Sequence, residues 1–270
     1  MIESPSPRPA VAWAWIVGLA SLMTLLNAAK PIHMDDAVYH MYAAQIAAHP
    51  GDPYGGEVVD YWFPPKTGMD VLAPVFLPYY WSRAIAMHGE NVFLAKLWLA
   101  PFPLLLVGAT WSLGRRFAAG YEAILACLVA CSPAILPGQN FMLDVPALAL
   151  GLAGLVVFIK GCDRGSWPQA LAAGLLAGVA INTKWTGLLA PAAIGLYAVT
   201  HRRVGLGVIA IAASAAVFGG WEAWLALQYG RSHFLLHSEK KGSPPLMDRI
   251  NGARALVSIL GGVAPGVLVT

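Results

Sequence analysis

The stretch Val11–Ala29, VAWAWIVGLASLMTLLNAA, runs nineteen residues without a charge, and its reading decides the class of fold. About 20 apolar residues rising 1.5 Å each cross roughly 30 Å of hydrocarbon, so the stretch is long enough to span a bilayer. It is also too long for the core of a cleaved signal. It therefore reads as a retained anchor, even though Asn27-Ala28-Ala29 weakly imitates a cleavage site. Working outward, further apolar runs cover 92–113, 118–137, 142–160, 168–183, 185–200, 204–227 and 253–270. The segment 71–88 is apolar but rich in Pro, Tyr and Trp, which predicts an interfacial or re-entrant helix. Composition agrees: 58% of residues are hydrophobic and only 11% charged, where a soluble domain carries ~25% charged. The reading is all-α, a polytopic transmembrane helical bundle with amphipathic helices in its first outer loop, covering 1–270 as one multi-span domain.

The net charge of +3 sits in short connectors. Arg115-Arg116, Lys160 with Arg164, and Arg202-Arg203 each follow an alternate span, and with Arg8 they fall on one side, the cytoplasmic one by the positive-inside rule. The other side then holds 30–91, the 138–143 turn, Lys184 and 228–252. No basic face interleaved with aromatics occurs, which excludes a nucleic-acid partner. Cys127, Cys131 and Cys162 lack CxxC or Cys/His spacing and read as packing residues. The chain stops at Thr270 inside an apolar run, so a longer parent with more C-terminal sequence is expected.

Chemistry concentrates on the outer side. Pro31-Ile32-His33-Met34-Asp35-Asp36-Ala37-Val38-Tyr39-His40 follows the first span and opens an amphipathic helix. One Asp suffices as a helix cap; a second adds like-charge repulsion and points to a general base or an ion ligand. Asp144, before Val145-Pro146, reads either as a cap or as a costly acid kept at a span edge for a purpose. Lys184 breaks an otherwise continuous apolar hairpin, as an interfacial anchor beside Trp185 or as a cation for phosphate. Glu57, Asp60 and Lys66 belong to the first outer loop, and Glu222, between Trp221 and Trp224, reads as interfacial. Asp35, Asp36, Asp144 and Lys184 share one membrane face in this topology, which suits a substrate carrying phosphate and a proton to be removed.

The ordered motifs resemble those of the GT-C-fold glycosyltransferases that use polyprenyl-phosphate sugars, the superfamily of protein O-mannosyltransferases, the lipid A aminoarabinose transferase and rhizobial galacturonosyltransferases. The series is the span with Asp35-Asp36; Trp62-Phe63-Pro64-Pro65-Lys66 leading to Tyr79-Tyr80-Trp81; Leu113-Gly114-Arg115-Arg116-Phe117; Cys131-Ser132-Pro133; Asn140-Phe141-Met142-Leu143-Asp144-Val145-Pro146-Ala147; and Asn182-Thr183-Lys184-Trp185. The family's acidic motif is usually Asp-Glu, and its Pro-rich loop often has His or Glu where Phe63 stands.

The resemblance implies an inverting transfer of a sugar from a polyprenyl-phosphate donor to a lipid, glycan or protein acceptor. It implies the outer face of a bacterial inner membrane, with membrane lipids around the chain. Asp35 would be the base, and Asp36 would orient the acceptor or hold a divalent metal ion. Tyr39, Lys66, Asp144 and Lys184 would bind substrate, Lys184 through the carrier phosphate. No cofactor is fixed by the sequence. The competing reading is a secondary transporter or a scramblase for lipid-linked substrates, although no internal repeat is present.

Overall fold

In the computed structural model, residues 9–32, 35–58, 66–71, 74–89, 91–241, 247–248 and 250–252 are described. For Glu57, Val58, Lys66, Lys240 and Lys241 this covers the backbone alone. The expected run 253–270 lies outside the described residues, as do His33 and Asp60. The chain forms two units, Met1–Trp221 and Glu222–Thr270.

The larger unit is a helical bundle. The first span is α1 (Pro9–Ala28). The segment that follows folds as α2 (Asp35–Ala48), a pair of two-residue antiparallel strands, β1 (Glu57–Val58) and β2 (Lys66–Thr67), and α3 (Phe76–His88). The Tyr42 hydroxyl donates to the Gly68 carbonyl at 2.7 Å and that of Tyr79 to Pro50 at 2.7 Å, which fastens this layer together. Within the segment 71–88, expected as an interfacial or re-entrant helix, residues Phe76–His88 are helical and form α3.

Next come α4 (Val92–Leu97) and α5 (Pro101–Phe117), which together make one apolar length. Between them Pro101 has no N–H to give the Leu97 carbonyl, and the chain tightens into i→i+3 bonds such as Ala100 N–H to Leu97. The expected span 118–137 is corrected: its helix is only α6 (Glu122–Ala130), nine residues or about 14 Å. Pro133 and Pro137 with Gly138 stop it, and the Ser132 carbonyl instead accepts the N–H groups of Ile135 and Leu136.

The remaining helices are α7 (Asp144–Arg164), α8 (Trp167–Thr183), α9 (Leu189–Thr200) and α10 (Val204–Tyr229). Among the described residues four helical lengths are long and apolar enough to cross a membrane: Pro9–Ala28, Val92–Phe117, Asp144–Arg164 and Val204–Tyr229. The protein is a multi-pass membrane protein, with α7 the most enclosed of the four. Small residues bring its helices close. A Cβ on Gly174 of α8 would stand 2.1 Å from the Ala210 carbonyl of α10, and one on Gly178 would stand 2.6 Å from Val217. Glycine spaced by four thus permits backbone contact where lipid offers no hydrophobic drive.

In the smaller unit, Glu222 accepts from the Ser232 hydroxyl at 2.6 Å and from the Phe234 N–H at 3.0 Å. It therefore anchors the start of α11 (His233–Lys241), a more specific task than an interfacial charge.

Candidate active site

Three chain segments converge where α1 ends, α2 begins and α7 begins. Asp35 and Asp36 form the first turn of α2, where carboxylates are favoured by the exposed N–H groups and the helix dipole. Successive helical residues point about 100° apart, and the two acids part accordingly: Asp35 is exposed and Asp36 is 1% exposed. One turn on, Tyr39 shares their face. Its hydroxyl is pushed well above the ordinary tyrosine range, first by burial and then by the charges of Asp35, Asp144 and Asp36. That order brings all three acids around one phenol, which stays protonated and is therefore a hydrogen-bond donor.

Asp144 is not a cap. The N-cap position of α7 belongs to Leu143, which makes no side-chain cap bond, and Asp144 is the first helical residue. Its Oδ1 instead meets the Lys184 ammonium at 2.5 Å. Lys184 stands in extended backbone, φ −155° and ψ 139°, between α8 and a 3-10 turn at Trp185–Leu188. That turn folds so tightly onto α8 that a Cβ at Gly187 would lie 2.4 Å from the Ala180 carbonyl. Glycine there allows the break, and the break delivers the lysine to Asp144.

A residue missed by sequence reading holds this corner together. Lys96 of α4 is 0% exposed. Its ammonium donates to the Lys30 carbonyl at 2.7 Å and the Pro31 carbonyl at 3.1 Å, in the linker that leads to Asp35, and the Asp36 charge reaches it. It also rides 5.8 Å from the Phe141 ring centroid. Phe141 in turn packs on Trp81 at 4.9 Å and His40 at 6.0 Å. Lys30 ties the end of α1 to the same corner by donating to Asn27 Oδ1 and to the Leu136 carbonyl. The available signal was a lone cation inside the apolar run 92–113, which is costly unless it has a task.

Below the Asp144–Lys184 pair a groove of about 460 Å³ runs between α7 and α9, walled by Leu148, Leu152, Leu155, Leu189 and Ala193. From Asp144 to Leu155 it follows eleven residues of α7, about 16 Å into the apolar layer. Its mouth is charged and its floor is hydrocarbon. The Lys66 side chain lies outside the described residues. Among the described residues no three His, Cys, Asp or Glu side chains gather as a metal-ligand set.

No curated protein matches the chain. Among solved structures, ArnT from Cupriavidus metallidurans, crystallised bound to undecaprenyl phosphate, superposes with a TM-score of 0.59 at 17% identity. The match covers 82% of this chain and 42% of that one, so this chain spans about two fifths of its length. The likeness establishes the fold, that of the GT-C polytopic helical bundles. The sequence pattern of the dolichyl-phosphate-mannose-protein mannosyltransferases matches residues 73–221, more than half of the chain and including Lys96, Phe141, Asp144 and Lys184. By that match the chain belongs to the dolichyl-phosphate-mannose-protein mannosyltransferase family.

Proposed function

We propose that this chain carries the sugar-transfer site of a glycosyltransferase that takes a sugar from a polyprenyl phosphate and gives it to an acceptor hydroxyl at the outer face of a bacterial cytoplasmic membrane. The observation that carries the reading is the apolar groove that opens at Asp144, which pairs with Lys184 and whose charge reaches Tyr39. A polyprenyl tail fits the apolar part, and its phosphate meets Lys184. The Asp144–Lys184 pair is partly exposed, with 33% of the Lys184 side chain open to solvent. Such a pair is worth only ~0–1 kcal/mol, so an arriving phosphate exchanges for Asp144 at little cost.

The steps follow from burial. Asp35, the exposed acid, takes the acceptor O–H proton as the oxygen bonds to the sugar's anomeric carbon. The bond from that carbon to phosphate breaks on the opposite side, the lipid phosphate leaves with both electrons, and the anomeric configuration inverts. Lys184 offsets the growing phosphate charge in a water-poor setting. Tyr39, kept neutral, donates a hydrogen bond to substrate, while buried Asp36 positions the turn.

The test uses the full-length protein in nanodiscs with a polyprenyl-phosphate sugar, reading release of lipid phosphate. Asp35→Asn should cost ~10²–10⁴ in rate, and Lys184→Ala should raise the donor KM while Lys184→Arg retains activity. Parental rates in Asp35→Asn, or parental donor KM in Lys184→Ala, would remove the assignment. Donor movement across the bilayer without phosphate release would favour a transporter or scramblase instead.

A further inference from the structure

Nineteen residues along α7 from Asp144, about 28 Å away, a second polar cluster closes the other end of the bundle. Arg116 of α5 grips Asp163 of α7 with both guanidinium arms, at 2.6 and 2.9 Å, and reaches the Tyr197 hydroxyl of α9 at 3.1 Å. Tyr197 stacks on His201 with ring centroids 3.8 Å apart. The charges of Arg164 and Arg203 also reach Asp163. Beside this clamp, between α5 and α7, lies a pocket of about 290 Å³. Arg115 and Lys160 line it together with Arg116 and Asp163, and its wall continues into apolar Leu113, Val156 and Ile159. Arg116 and Asp163 satisfy each other. Arg115 and Lys160 have no acidic partner among the described residues, and both are exposed.

We propose that this pocket binds the headgroup of an anionic phospholipid of the surrounding leaflet. Two uncompensated cations stand where spanning helices α5 and α7 leave the apolar layer, which is the depth of lipid phosphate. The apolar wall directly beneath receives an acyl chain, so the pocket matches a whole lipid better than a free anion. Basic pockets between spanning helices are the general form of such recognition. Asp163 sets the selectivity: by occupying Arg116 it leaves a +2 mouth, suited to one phosphodiester, and it repels headgroups carrying extra negative charge. The site is remote from the Asp144–Lys184 groove, so its lipid is a bound companion of the fold and does not depend on the transfer reading.

The experiment is native mass spectrometry of the full-length protein released from nanodiscs of mixed phosphatidylglycerol and phosphatidylcholine. Phosphatidylglycerol should be retained over phosphatidylcholine. Arg115→Gln/Lys160→Gln should weaken retention about 25-fold, from roughly fivefold per cation removed. Asp163→Asn, which frees Arg116, should strengthen it by a similar single step. Equal retention of both lipids, or a double variant that holds phosphatidylglycerol as the parent does, overturns the proposal. So does loss of the lipid in Lys184→Gln with retention in the double variant, which puts it in the other groove. Displacement of phosphatidylglycerol by inorganic phosphate, with no dependence on the acyl chains, assigns the pocket to free anions and overturns the lipid reading as well.

Discussion

Replacing Lys96 by Met keeps the length and flexibility of the side chain and removes only the ammonium. The parent ammonium makes two hydrogen bonds, to the Lys30 and Pro31 carbonyls, and bonds to a charged donor contribute ~1.5–3 kcal/mol each. Their loss therefore costs about 3–6 kcal/mol gross. Methionine returns part of this because it needs no desolvation, whereas buried Asp36 loses an opposing charge that reaches it. A net loss near 3 kcal/mol is expected, or roughly 6–12 °C in thermal midpoint for a unit of this size. The assay is tryptophan-fluorescence melting in detergent of the parent, Lys96→Met, Asp36→Asn and the double variant. Asp36→Asn should recover part of the Lys96→Met loss, since the carboxylate whose charge reaches Lys96 is then neutral. A Lys96→Met midpoint equal to the parent's, or losses in the double variant that simply add, would refute the idea that Lys96 braces the linker and balances Asp36.

Two further predictions rest on other contacts. Tyr39, held neutral by burial and three acids, should ionise above the ordinary tyrosine range in an ultraviolet titration compared with Tyr39→Phe. Because unfolding frees the phenol to ionise, stability should fall as pH climbs from the ordinary tyrosine range toward the folded value; Asp144→Asn should trim only the smaller, electrostatic part of the shift. Gly174→Ala, whose Cβ meets the Ala210 carbonyl at 2.1 Å, should lower the melting midpoint by an overpacking cost of ~1–3 kcal/mol. Gly18→Ala in α1, with nothing within 4 Å, should be neutral or raise it by up to ~1 kcal/mol.

Spans were legible where apolar length met an abrupt charge or break. The run Val11–Ala29 became α1 within two residues, and Lys184 marks the break between α8 and α9. Length alone misled at 118–137, because hydropathy does not register a missing N–H, and Pro133 ends the helix there. Asp144 illustrates a different limit. Its sequence context, Asp followed by Val-Pro, is that of a cap, but its partner lies forty residues on in the chain, and local pattern carries no such distance. Lys96 was hidden for a related reason: one cation in an apolar run looks like noise until the carbonyls that hold it are brought from residues 30 and 31. Proximity of Asp144 to Lys184 was inferable from topology, since both lie at the same end of neighbouring spans. The opposite burial of Asp35 and Asp36 needed the packing of α2.

The groove beside α7 has an open flank: Leu189 is 73% exposed and Leu148 41%, and in a bilayer those faces meet acyl chains. A ligand with a long hydrocarbon tail therefore approaches sideways, by lateral diffusion in the leaflet, and never passes through water. Encounter frequency is then governed by molecules per unit of membrane area. If the proposed transfer holds, adding inert phospholipid at fixed bulk donor concentration dilutes the reactants in two dimensions and slows turnover, whereas shrinking the aqueous volume leaves it unchanged. A Michaelis constant for such a donor has the units of a surface mole fraction.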